Sequence, residues 1–292
     1  MPDDRLELMD AVDNAALVER LLEIHLEDDE LELPALPDVA VRIIRNGTGN
    51  SANAQLLAQI ITEDRALNDH VLGIAASAAK RPVTPIASLQ HAVAWLGFDE
   101  VANIAFTVAL QGRMLDVAGQ KEKARRLWRH ALASALWSRH LAQLLSAQIG
   151  LCYLSGLVHG IGKVVTLGAL NDLSRRALLP LAPAEYDRLI ETFHRPIGVR
   201  VVSAWQLPPP VLHVTMHWES CLALTTARFE ATLVNVAHRL ADYLLFEPTP
   251  RVREALVADP AYRDLGLSGA DGDTLFDAAG DINAELDRHL AR

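Results

Sequence analysis

Apolar residues recur at three- and four-residue steps along nearly the whole chain, the spacing of buried helix faces. Leu6, Met9, Val12, Leu17, Leu21 and Ile24 mark a first helix or helix pair, followed by the acidic patch Glu27–Glu32. Leu33-Pro34-Ala35-Leu36-Pro37 leads into an apolar face at Val39, Ile43 and Ile44, and Asn46–Asn50 is a loop by composition. Leu56, Leu57, Ile60 and Ile61 form another face; Asp64 is an N-cap for a helix carrying Leu67, Val71, Leu72 and Ile74. Thr84-Pro85 starts a helix with Ile86, Leu89, Val93 and Leu96 inward and Gly97 at its end; Asp99 caps the next, which runs to about Gly112. Residues 113–123 read as a hinge. Strand-like alternation and internal repeats are absent from the sequence.

After the hinge the pattern predicts a long helix from Trp128 to about Ala147, then an apolar, small-residue stretch over 150–170. In that stretch Leu151, Leu154, Leu157, Val158 and Ile161 keep helical spacing, which predicts a buried core helix. Gly156, Gly160 and Gly162 each disfavour a helix by about 1 kcal/mol against Ala, so close packing of a neighbouring helix or a ligand should compensate. Pro180 and Pro183 bracket a turn, Tyr186–Phe193 reads as a helix, and His194-Arg195-Pro196-Ile197-Gly198 leads to Val199, Val201, Val202 and Trp205. Pro208–Pro210 breaks the chain before a helix bearing His213 and His217. Leu233–Leu245 is a strongly apolar helix containing His238 and Asp242, and Ile282, Leu286 and Leu290 mark a terminal helix.

Composition supports an all-α reading: half of the 292 residues are apolar but only 5% aromatic, with Ala and Leu dominant. The formal charge of −10 argues against a broad nucleic-acid surface. The basic run Lys121, Lys123, Arg125, Arg126 and Arg129 reads as a solvated helix face. Cys152 and Cys221 sit in apolar contexts as core residues of a protein expected in the cytoplasm. The acidic N-terminus has no apolar secretory core, and the 150–170 window carries Lys163, His159 and several glycines, so no membrane association is expected.

An ordered set of motifs resembles the HDOD family, the HD-related output domains of bacterial signalling. It comprises Leu33-Pro34-Ala35-Leu36-Pro37, then Ile60-Ile61-Thr62-Glu63-Asp64-Arg65-Ala66-Leu67, then Ile86–Gly97 with Gln90-His91-Ala92-Val93-Ala94-Trp95 inside. Arg65 stands where the family usually has proline. The resemblance spans about residues 30–250 and implies an N-terminal helical lobe (30–115) and an HD-like lobe (124–250), flanked by an N-terminal helical extension (1–29) and a C-terminal helical segment (251–292).

Leu157-Val158-His159-Gly160-Ile161-Gly162-Lys163 is similar to the HD phosphohydrolase signature, in which a His-Asp pair ligates metal; here Gly160 occupies the aspartate position. The resemblance implies a vestigial or mononuclear metal set of His130, His159, His194, His217 and His238. Trp218 follows His217 where a second histidine is usual, and His238 replaces the family's last aspartate. Lys163 is a candidate phosphate contact, or a snorkelling lysine.

A two-metal hydrolytic site holds its ions about 3.5–4 Å apart, usually through bridging oxygen ligands, and Gly160 cannot bridge. The expected function is therefore non-catalytic: a signal-transduction module acting in trans through protein partners, with no cofactor required. The second reading keeps a single transition-metal ion (Zn, Ni or Fe) on histidines, in a phosphohydrolase or a nucleotide-sensing pocket.

Overall fold

The computed structural model describes residues 4–47, 53–76, 86, 88–267 and 274–290. Every regular element among them is helical, as the periodicity predicts. The N-terminal part comprises α1 (Asp4–Glu27), α2 (Asp38–Gly47), α3 (Ala54–Thr62), α4 (Arg65–Ala76), α5 (Leu89–Leu96) and α6 (Phe98–Met114). There follow α7 (Lys121–Leu144), α8 (Ile149–Val158), α9 (Ile161–Ala177), α10 (Pro183–Ala204), α11 (Pro209–His217), a 3-10 turn (Trp218–Ala223) and α12 (Phe229–Leu245). The chain continues through α13 (Pro250–Ala258) and α14 (Pro260–Asp264) to α15 (Ala279–Leu290). Thr84-Pro85, read from sequence as a helix start, lies outside the described residues.

Local signals explain several boundaries. Asp64 Oδ1 accepts from the Leu67 amide at 3.1 Å, and Ser88 caps α5 through the His91 amide at 3.1 Å. Gly97 ends α5 at φ +91°, a conformation open to glycine, and also begins α6. Asp99 thus lies inside the first turn of α6 instead of capping it, a position that still favours an acid.

Other boundaries differ from the sequence reading: α5 starts at Leu89, after Ile86, and α7 starts at Lys121, seven residues before Trp128. The apolar stretch over 150–170 is two helices, α8 and α9, with the break at His159-Gly160. Conversely, Pro196 lies inside a continuous α10. Buried Phe193 and Ile197 flank it, and α10 packs along α9, so tertiary packing holds the helix through the proline. The run Ile149–Ala177 is long and apolar enough to cross a membrane, but 67% of its most apolar window is buried inside the protein.

Helix α7 runs through the core, with Trp128, Leu132, Leu136 and Trp137 fully buried. The glycines allow close approach. A Cβ on Gly156 would lie 2.3 Å from Ser138 Oγ on α7, and one on Gly162 would lie 1.7 Å from the His194 carbonyl on α10. Bulkier residues would push α8 and α9 off their neighbours.

Buried and part-buried polar contacts join the N-terminal helices to the later ones. Tyr153 on α8 and Thr107 on α6 share a hydroxyl hydrogen bond of 2.8 Å. Arg139 on α7 pairs with Glu100 on α6 and donates to both Glu285 oxygens on α15, at 2.8 and 2.5 Å. The Trp205 indole N–H at the end of α10 donates to the Pro34 carbonyl at 2.7 Å, tying the segment before α2 to α10.

Candidate metal and ligand pocket

The break between α8 and α9 gives the site its position. Helix α8 delivers His159 at its C-terminus, α7 supplies His130, and α12 supplies His238. One ligand-type atom from each of these three side chains lies within 4.8 Å of the other two. They line a pocket of about 340 Å³ with Gly160, Lys163, Asp242 and Phe246.

Hydrogen bonds fix the ring protons. His159 Nδ1 lies 2.7 Å from the Gly156 carbonyl; a carbonyl only accepts, so this nitrogen carries the proton. Burial pushes His159 down to about 3, leaving the ring neutral at ordinary pH with a bare Nε2. His238 Nδ1, 3.0 Å from that Nε2, must then donate to it. His238 is itself held well below its usual range by burial and neighbouring His159, so its Nε2 is bare too. On the other side, the His130 Nε2–H donates to Asp242 Oδ1 at 2.9 Å. This leaves two acceptors facing each other: His238 Nε2 and Asp242 Oδ2, 3.6 Å apart.

Trp218 closes the inner side. Its ring meets His159 edge-on at 4.8 Å between centroids and lies 4.4 Å from His238. At the outer side the exposed Phe246 ring stacks on His130 at 6.2 Å.

Two histidines of the expected set lie elsewhere. The buried His194 ring faces Glu219 at 3.4 Å and Glu191 at 3.7 Å, and burial beside Lys163 pushes it down to about 4. His217 pairs with His213 one turn back on α11, ring centroids 4.8 Å apart. Lys163 reaches the pocket, but its Nζ lies 2.7 Å from Glu191. Lys123 lines the pocket too and is paired with Asp187 at 2.6 Å, while Arg125 and Arg129 pair with Glu122 and Asp287. The basic run is thus mostly neutralised, with Arg126 at the pocket edge.

The sequence reading missed Asp242 as a site residue. It follows His238 by four residues, so the two share one face of α12, with Phe246 at the C-cap four residues further on. That spacing is the signal that identifies it.

The histidine and carboxylate donors fit a single ion of the Zn, Ni or Fe type, with Asp242 supplying negative charge. They do not fit a two-ion centre. Gly160 presents no side chain to bridge two ions.

A family model described as HDOD domain matches residues 33–220. No curated protein matches the chain. Solved structures show the same fold. A Shewanella amazonensis SB2B protein with the provisional name metal-dependent phosphohydrolase is 22% identical, with TM-score 0.74, over 94% of this chain and 99% of that one. An HDOD domain protein of unknown function from Geobacter sulfurreducens is 22% identical, with TM-score 0.69, over 95% and 99%. A Marinobacter aquaeolei VT8 protein provisionally named for signal transduction is 23% identical, with TM-score 0.63, over 94% of this chain and 66% of that one.

Proposed function

The chain belongs to the HDOD family, and we propose that within it the protein is a non-catalytic signal-transduction module acting in trans on protein partners. The observation that carries this reading is the missing bridge. Where a two-ion centre needs an anionic oxygen shared between metals, the chain has Gly160, and a Cβ built there meets nothing within 4 Å. His238 contributes a neutral ring, engaged with His159, in place of a second carboxylate. Two divalent ions would lack both their bridge and most of their compensating charge. The provisional naming of the Marinobacter relative for signal transduction agrees with this reading.

The test is elemental analysis of protein purified without a His-tag or chelator, followed by equilibration with Zn, Ni, Mn and Fe(II). At most one ion per chain is expected. Two ions per chain, both lost in His159→Ala, would overturn the reading.

A second reading, a mononuclear pocket, is favoured by one specific observation: the opposed acceptors His238 Nε2 and Asp242 Oδ2. A cation between them would relieve their repulsion. Such an ion would be held by His130, His238 and Asp242 with His159 behind, and would supply Lewis acidity toward a phosphoester or nucleotide. Stoichiometric metal that disappears in Asp242→Asn, together with phosphoester turnover, would establish it.

A further inference from the structure

We propose that a second cavity, between the lobes and sharing no lining residue with the histidine pocket, binds a neutral or cationic, largely apolar small molecule bearing a hydrogen-bond acceptor. Its volume is about 470 Å³, within the range of small-molecule sites. The walls come from both lobes: Ile43 on α2, Phe98 and Phe106 on α6, Leu151 and Leu154 on α8, and Pro210 in the first turn of α11.

The few polar groups define the ligand. The Asn103 side-chain amide lines the cavity, and its nitrogen is buried without a hydrogen-bond partner. An unpaired buried donor is costly, and a ligand carbonyl, ether or ring nitrogen would satisfy it. Asp99 adds a carboxylate and Gln148 an amide, both on exposed residues, and among the described residues no Lys, Arg or His lines the space. An anion placed here would meet that carboxylate with no cation to offset it. The described lining therefore disfavours nucleotides and other phosphates, unlike that of the histidine pocket, which Lys123, Arg126 and Lys163 line.

The placement gives such a ligand leverage. It would contact α2 and α6 on one side and α8 and α11 on the other, and α8 ends at His159. Occupancy would thus bear on how the lobes meet and on the helix that sets the histidine cluster. This holds whether or not that cluster turns over a substrate.

The test uses the full chain with isotope-labelled isoleucine methyls and Nile red, a neutral apolar dye with a carbonyl acceptor, as the probe. Saturable binding is expected, with methyl shifts at Ile43, Ile44 and Ile149, which line the cavity, and none at Ile60 or Ile190. Ala102→Trp projects a ring into the space and is expected to weaken binding about tenfold or more. The anionic dye anilinonaphthalene sulfonate is expected to leave the same three methyls unmoved. Shifts confined to other isoleucines, or unchanged affinity in a folded Ala102→Trp, would overturn the site; if that variant fails to fold, the methyl shifts decide. Equal response to the anionic dye would overturn the ligand class. Absence of saturable binding would overturn the small-molecule assignment in favour of a side chain from a protein partner.

Discussion

His238 and Asp242 stand one turn apart on α12 with Nε2 and Oδ2 separated by 3.6 Å. The ring proton of His238 is committed to His159, and the other Asp242 oxygen accepts from His130. The gap attracts a cation or a water that donates both ways. Any ion bound in the pocket is therefore expected to depend on Asp242. In calorimetric titration with Zn or Ni, Asp242→Asn should weaken uptake at least about tenfold. His217→Ala should leave it unchanged, because His217 belongs to the His213 pair. Equal losses in both variants would contradict the geometry.

Gly160 offers a complementary gain. It is the N-cap of α9 without a side-chain capping bond, and a Cβ there enters open space. Gly160→Asp should stabilise the chain by about 0.5 kcal/mol through capping and the helix dipole, read by urea unfolding. Combined with His238→Asp it should increase metal uptake; a folded double variant with no gain would count against the pocket assignment.

Two glycines of α9 should respond in opposite directions. Gly168→Ala places its methyl in open space and is expected to stabilise by up to about 1 kcal/mol. Gly162→Ala drives a Cβ into the His194 carbonyl and the Gly198 amide, so it should destabilise by about 3 kcal/mol or more. Thermal melts of the pair measure this directly, and equal effects would refute the close approach of α9 and α10.

Arg139 joins α6, α7 and α15 through Glu100 and Glu285, all three side chains mostly buried. Arg139→Met removes the cation paired with both carboxylates and is expected to cost about 3–5 kcal/mol. Adding Glu100→Leu and Glu285→Leu should recover most of the loss. A single variant as stable as the parent in urea unfolding would show that the cluster is not required.

Acid should destabilise the fold in a defined window. Burial holds His159 at about 3 and His289 at about 4, against an ordinary value of 6.5. Between those values the unfolded chain binds more protons than the folded one. The contribution is therefore complete above about pH 6.5 and is lost as pH falls through about 4 and then about 3, with a slope of up to about 1.4 kcal/mol per pH unit for each group. His289→Gln should flatten the dependence of unfolding free energy on pH between about 4 and 6.5. An unchanged slope would contradict the burial of His289.

Helical periodicity made the all-α architecture legible, and cap residues explain where individual helices start, as at Asp64 and Ser88, and stop, as at Gly97. The break at His159-Gly160 was hidden because the apolar spacing runs straight through it. Continuity across Pro196 was hidden for the opposite reason: the local signal says stop, and packing against α9 overrides it. In the pocket, motif order led to His130, His159 and His238, which converge. It also pointed to His194 and His217, whose local spacing says nothing about where α10 and α11 turn their faces. Asp242 belongs to no motif, yet its four-residue step from His238 places it on the same face of α12.

The most direct measurement is phosphoester hydrolysis by untagged protein equilibrated with Zn, Ni, Mn or Fe(II), with His159→Ala as the matched control. A phosphodiester, a phosphomonoester and a set of nucleotides should each be hydrolysed no faster by the parent chain than by the variant. Metal-dependent turnover by the parent that vanishes in His159→Ala would contradict the non-catalytic assignment and make the mononuclear pocket an enzyme.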